Sequence, residues 1–478
     1  MSLNKNAQEK EEFLNRMLRD VNKIPVEDVV GSVVELHRKG QYLMGLCPFH
    51  ADAHLGSFIV TPSKNLWRCF AEDIGGGPVS FVMEYDRLSY IQAAFKLAKD
   101  YNIITAEEYK AYGGKRYDSE TVTRIRKKLE ERKPAEPKAS DSVIAKVYDA
   151  MAHVCPLSDS HKKHLMHERL LNDLSDFFTF PTRNMNLADR IIKYLTEEEA
   201  KEYYQKPLKE LSEQERLSLR EIIQKYVDEL PRVPGFYKNL NNGRIDFVSY
   251  RGIGIVARDE RGRALGIQIR RDTVKKGEQR YVWFSSAFAQ DQSYLSGGSS
   301  SGSPGGYVEP RANGSNAICI TEGRFKAEKI ADCGNRAIYV SGVSAWKSVL
   351  PMILRLENNR KVFLMFDSDM MGNTAVHKQL CAFSDELKKN GISTHLILWS
   401  IRNGKGFDDL VINKGQRYAQ YLKSIPYQTF EVAYAVTLKE VLQKFGCESV
   451  RDIRQEDIQR FTNTMQSQME TTVGIKTP

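Results

Sequence analysis

From Asn316 to about Lys423, short apolar runs alternate with amphipathic stretches at helical spacing, and few folds accept that order. The runs are Ala317 to Thr321, Ala337 to Ser341, Val362 to Phe366 and Thr394 to Trp399. Between them lie Arg324 to Asp332, Trp346 to Leu356 and Thr374 to Lys389. A strand buried on both faces reads as a continuous apolar run, and a helix returning across the sheet carries one apolar stripe. The pattern predicts a parallel sheet wrapped by helices, a Rossmann-like α/β domain.

In an open parallel sheet, ligands collect beyond the carboxyl ends of the strands. Acids stand at three such places: Glu322 before Gly323, Asp367-Ser368-Asp369, and the loop Lys405-Gly406-Phe407-Asp408-Asp409. Residues i and i+2 of an extended chain face one side, so Asp367 and Asp369 can aim oxygens at one spot. Magnesium, or manganese in its place, prefers oxygen ligands and keeps several waters. Glu322, Asp367 and Asp369 are therefore the candidate catalytic residues, with Asp408 a fourth magnesium ligand. Gly323 permits a tight turn from strand into helix. The plainer alternative is that Asp369 caps a helix starting near Asn373 and Asp408 caps the next; three acids at three strand ends favour the metal.

These acids, in this order and spacing, resemble the toprim domain shared by bacterial primases, topoisomerases and certain nucleases. One departure concerns the number of bound metals: many primases of that family carry a further acid four residues after the glutamate, where this chain has Lys326.

Nearer the N-terminus, Cys47-Pro48-Phe49-His50 and Cys69 place three zinc-ligand residues on two strand-like segments. The fourth ligand is open: Glu72 by its place in a CxxC spacing, Asp73 or His54 by proximity, or no zinc at all with two buried thiols. GlyLeuCysProPheHis, SerPheIleVal, LeuTrpArgCysPhe and GlyProValSerPheValMet resemble the CHC2-type zinc-binding domain of DnaG-type bacterial primases. Trp67, Arg68, Lys64, Phe58 and Phe70 offer rings and cations suited to single strands; Trp67 and Arg68 are the expected binders, while core packing is expected to claim Phe58 and Phe70.

Arg251 to Arg270 carries two strand patterns with Gly262 in the turn after Asp259. This segment resembles the one that precedes toprim in bacterial primases, which implies that Arg258, Arg270 and Arg280 face nucleic acid or nucleotide and that its glycines let the backbone approach it. The alternative is solvated hairpin faces. His161, His164 and His167 drift around a helix and are not expected to form a second metal site.

The whole then reads as a multidomain α+β protein: a small zinc-ribbon-like module at 1–110, a charged, proline-bearing linker at 111–140, a helical then β-rich segment at 141–315, the toprim-like domain at 316–425 and a short helical tail at 426–478. Ser296 to Gly306 reads as a mobile Gly/Ser loop. A charge of +9 suits a phosphate-bearing partner. Seven cysteines without a secretory leader suit a reducing cytoplasm, and no apolar run suggests a membrane span. The resemblance implies a primase making RNA primers by two-metal-assisted nucleotidyl transfer, with zinc and magnesium as cofactors. Its implied partners are a single-stranded DNA template, ribonucleoside triphosphates, the RNA:DNA hybrid and a replicative helicase. The short tail suggests a phage, plasmid or mobile-element version. The rival is a toprim nuclease or a catalytically weak nucleic-acid-binding protein.

Overall fold

The computed structural model describes every residue except Met1, Ala51, Ala53, His54, 114–121, 124–136, Asn184, Lys276, Gly277, Ser293, Glu357 and 476–478. Most of the expected linker lies outside the described residues. The protein is multidomain α+β and divides into two compact units. The first holds Met1–Lys133, Met371–Gln379 and Ala435–Met469; the second holds Pro134–Met370, Leu380–Tyr434 and Glu470–Pro478. The helical tail is therefore not a body of its own, for its residues are divided between the units.

In the first unit, strands β1 (His37–Lys39), β2 (Tyr42–Gly45), β3 (Phe58–Thr61), β4 (Leu66–Cys69) and β5 (Ile74–Gly76) form an antiparallel sheet in sequence order. Leu14, Met17, Leu18 and Val21 of the helix Ser2–Val21 pack on it with Phe81, Ala94 and Leu97 from the helices Pro78–Asp86 and Tyr90–Asp100. The second of these starts at a capping box: the Ser89 hydroxyl accepts from Gln92 N and the Gln92 side chain accepts from Ser89 N. Asn65, left-handed at φ 52°, ties the β3–β4 turn to the first helix's end. Its side chain accepts from Val26 N at 2.7 Å and donates to Asn22 O and Ile24 O at 2.8 and 2.9 Å.

In the second unit, β6 (Phe177–Thr179), β9 (Gly252–Arg258), β10 (Ala264–Arg271) and β11 (Tyr281–Trp283) make an antiparallel sheet, while β7 (Phe236–Asn239), β8 (Ile245–Phe247) and β12 (Leu295–Ser296) make another. The helices Asp141–Val154, Leu187–Tyr204 and Glu213–Glu229 accompany them. The short strand β6 interrupts a segment whose periodicity reads as helical throughout. Glycine's role in β9 and β10 also differs from expectation. A Cβ at Gly252 would lie 2.1 Å from Arg270 O, at Gly254 2.3 Å from the Phe178 ring, and at Gly266 2.6 Å from Pro304. These glycines admit neighbouring protein, not nucleic acid. Nor is Ser296 to Gly306 a free loop: Ser299 is 4% exposed and donates from N to Ser286 Oγ at 3.1 Å and from Oγ to Arg232 O at 2.7 Å.

The remaining strands are β13 (Gly306–Val308), β14 (Ile318–Glu322), β15 (Arg336–Val340), β16 (Lys361–Leu364), β17 (Ser393–Leu398) and β18 (Lys423–Pro426). They form one sheet in the order β13-β15-β14-β16-β17-β18, parallel through its four central strands and antiparallel at both edges. Ile320, Ile338, Val362, Leu364 and Leu396 are fully buried, as strands covered on both faces require.

A buried ionic network joins β9 and the segment before β6 to this sheet. Arg324 donates to Val256 O at 3.1 Å and to Asp176 at 2.9 Å, and also pairs with Glu328. Replacing Arg324 by Met would remove one of the two arginines that answer each of Asp176 and Glu328 in a buried setting, a loss of about 3 kcal/mol. Urea unfolding followed by circular dichroism should show this as a large drop in midpoint, whereas Lys389→Met, in an exposed pair, should move stability by no more than about 0.5 kcal/mol. Equal effects of the two would contradict the network's role.

Candidate functional site

Strands β14 and β16 are parallel neighbours, in register through Ile318 with Val362 and Ile320 with Leu364. Glu322 ends the first and Asp367 follows the second, so topology brings both carboxylates to one sheet edge. Gly323, at φ 80° with no atom within 4 Å of an added Cβ, is needed for its backbone angle. The helix Arg324–Asp332 starts there and returns Lys326 to the same edge.

The Lys326 ammonium lies 2.7 Å from Asp367 Oδ1 and also feels Glu322 and Asp408. Burial works against its charge, but these acids outweigh burial and hold its proton more firmly than in a free lysine. Lys405 Nζ is 2.7 Å from Asp369 Oδ2 and 4.0 Å from Asp367 Oδ2, and Arg169 is 3.9 Å from Asp408. Burial pushes the Glu322 and Asp408 carboxyls above the usual range, against the pull of Lys326. Neither acid expected as a helix cap is one. Asn373 accepts from Ala375 N and Val376 N at the start of Thr374–Lys389, and Asp409, not Asp408, accepts from Gly406 N at 3.0 Å before Phe407–Lys414.

Asp367 Oδ1 is buried without an aligned hydrogen-bond donor, so the lysine beside it is an ionic partner. Oxygen donors of this kind fit a hard divalent cation. The four acids nevertheless do not close on one point: among the described residues, only Cys47, His50 and Cys69 gather their ligand atoms within 4.8 Å of one another. Arg169 and Lys405 are members of this site that acid-by-acid reading did not assign; the HisGluArg triplet at 167–169 resembles the helix that opens the polymerase domain of bacterial primases, which gave Arg169 no role at the acids.

In the first unit, His50 Nδ1 faces Cys69 Sγ at 3.6 Å and Glu72 N donates to the same sulfur at 3.3 Å. A hydrogen bond from Cys47, against burial and aided by His50, lowers Cys69 to about 5, while burial raises Cys47. A thiolate beside a second thiol and an imidazole fits zinc. The acids expected to complete it turn to cations: Glu72 pairs with Lys378 and Asp73 with Arg68. His54 lies outside the described residues. Asp52 was overlooked. Its buried Oδ2 accepts from Cys47 N at 3.1 Å and lies 3.9 Å from His50 Nε2, the place of a carboxylate that orients a zinc-bound imidazole.

The expected nucleic-acid contacts divide. Trp67 is 1% exposed and packs against Phe49, Phe58 and Phe81, whereas Phe70 is 48% exposed, so the two exchange their anticipated roles. Burial removes Trp67 as a stacking platform. Arg68 is exposed and, with Lys64, Asn22, Gly76 and Tyr90, lines a cavity of about 580 Å³. Arg258 is committed to Asp149 at 2.7 Å and to Asp176, which corrects its assignment to phosphate binding. Arg280 is exposed and donates to Arg271 O and Asp272 O at 3.4 and 3.2 Å; Arg270 Nε is buried without a partner. His161 contacts Asp272 at 3.0 Å and His164 contacts Glu168 at 2.7 Å, so the two face different acids.

Residues 10–113 match the CHC2 zinc finger family, and residues 311–418 match a domain of unknown function, DUF3854. The DNA primase of Listeria monocytogenes is 38% identical over 77 residues, covering 16% of this chain and 12% of that protein. For the Aquifex aeolicus DNA primase the figures are 35% over 104 residues, 22% and 18%. The chain thus spans under a fifth of the length of these curated relatives. The crystal structure of the Aquifex aeolicus primase, with its zinc-binding and RNA polymerase domains, overlays at TM-score 0.36 and 18% identity, covering 98% of this chain and 97% of that one.

Metal analysis should find about one zinc per chain, absent from Cys47→Ser. Asp52→Asn should keep the zinc but weaken it about 10–100-fold in competition with a chromogenic chelator. Unaltered zinc in Cys47→Ser would remove that residue from the ligand set.

Proposed function

We propose that this chain, whose residues 10–113 form a zinc module of the DnaG primase family, is a DNA primase that joins ribonucleotides on single-stranded DNA. The observation that carries the reading is the presence of that module in one chain with carboxylates at adjacent parallel strand ends. Asp367 and Asp369, with Glu322 and Asp408 beside them, would hold magnesium. When bound, the ion supplies charge neutralisation at the triphosphate and the attacking oxygen. Lys405 and Arg169 add positive charge for phosphates. The 3′-oxygen bonds to the α-phosphorus as pyrophosphate leaves, and its proton passes to a base. Glu322, its carboxyl raised by burial, is suited to take that proton. Arg68 and Lys64 beside their cavity are suited to template phosphates, and Arg280 to the RNA:DNA hybrid. A replicative helicase would be the partner in the cell, in the cytoplasm; among the described residues no helix is long and apolar enough to cross a membrane.

Labelled ribonucleotides, magnesium and single-stranded DNA should yield short RNA products. Asp369→Asn should cut the yield about a hundredfold or more with the circular dichroism spectrum unchanged. Shortening of the DNA strand without RNA synthesis would replace the reading by a nuclease.

A further inference from the structure

We propose that the Lys326 ammonium permanently occupies a cation position among the strand-end acids, so that this chain takes one divalent ion there and not two. The proposal rests on assigning those acids to divalent metal, as above. Lys326 lies four residues after Glu322, in the first turn of the helix Arg324–Asp332, and its Nζ is 2.7 Å from Asp367 Oδ1. The surrounding backbone is shaped to it. A Cβ on Gly406 would lie 2.7 Å from Lys326 Cε and 2.3 Å from Asp408 Oδ1, so a larger residue there would block their approach. The two lysines of the site differ in freedom. The Lys326 side chain is 18% exposed, whereas that of Lys405 is 59% exposed. Asp367 and Asp369 would hold the ion, and Lys405, now beside both, is free to swing into water. Lys326 has no such exit, and a dication beside it would meet an unscreened like charge.

Manganese binding to the zinc-loaded full chain, followed by electron paramagnetic resonance of the free ion, tests this. Wild type and Lys326→Arg should each bind one manganese, lost in Asp369→Asn. Lys326→Glu should bind two. Lys326→Met, which keeps the stem's packing, should also gain the second ion, so a misfolded Lys326→Glu would not leave the question open. Two ions in wild type, none in wild type, or one in Lys326→Met would overturn the proposal. Two ions with normal primer synthesis would reject the lysine's role alone; one ion with no primer synthesis would reject the primase reading alone.

Discussion

Arg324 is buried where β9, the segment before β6 and the first helix of the six-stranded sheet meet, and much of the second unit depends on it. Its guanidinium is divided between the Val256 carbonyl, Asp176 and Glu328, with the Phe177 and Tyr339 rings 5.5 and 5.7 Å away. Asp176 also holds Arg258, and Glu328 also holds Arg311. Charges so far from water are tolerable only because each is answered. A planar guanidinium does this for three elements at once, which a lysine could not. Since Arg324 opens the helix that follows Gly323, the same contacts set the direction in which that helix leaves the acidic edge.

That direction matters for the acids. Helix Arg324–Asp332 carries Lys326 two residues after the anchor, and a fixed anchor leaves the lysine little choice of position. Glu322, Asp367, Asp369 and Asp408 would repel one another if bare; with Lys326, Lys405 and Arg169 among them the edge is close to electrostatic balance. Lys405, largely exposed, and Lys326, largely buried, give the edge two unequal halves.

The strand-end acids and the Cys47, His50 and Cys69 cluster were legible because each signal is local. A carboxylate at the end of an apolar run needs only the period of the chain, and a CxxH knuckle needs only spacing. Exposure was less legible. Trp67 and Phe70 lie three residues apart around one strand's end, and alternation gives no absolute phase once a strand stops: Trp67 fell to the core and Phe70 to solvent. The glycines of β9 and β10 misled for another reason. Missing Cβ atoms show that something comes close without saying what, and it proved to be Phe178, Pro304 and Arg270.

The amino-acid sequence by itself determined the alternating order of strands and helices, the strand ends at which acids stand, and the cysteines and histidine able to hold zinc. Those follow from covalent order and the two short periods of strand and helix. Only the tertiary structure decided which charges answer which: Arg258 with Asp149 and Asp176, Glu72 with Lys378, Asp52 behind His50, and Lys326 within the acids. Each pair except Asp52 with His50 and Lys326 with its neighbouring Glu322 joins residues far apart in the chain, and no periodicity relates them. Their choice is made by burial, where a charge must find whichever partner the packed elements bring within a few ångströms.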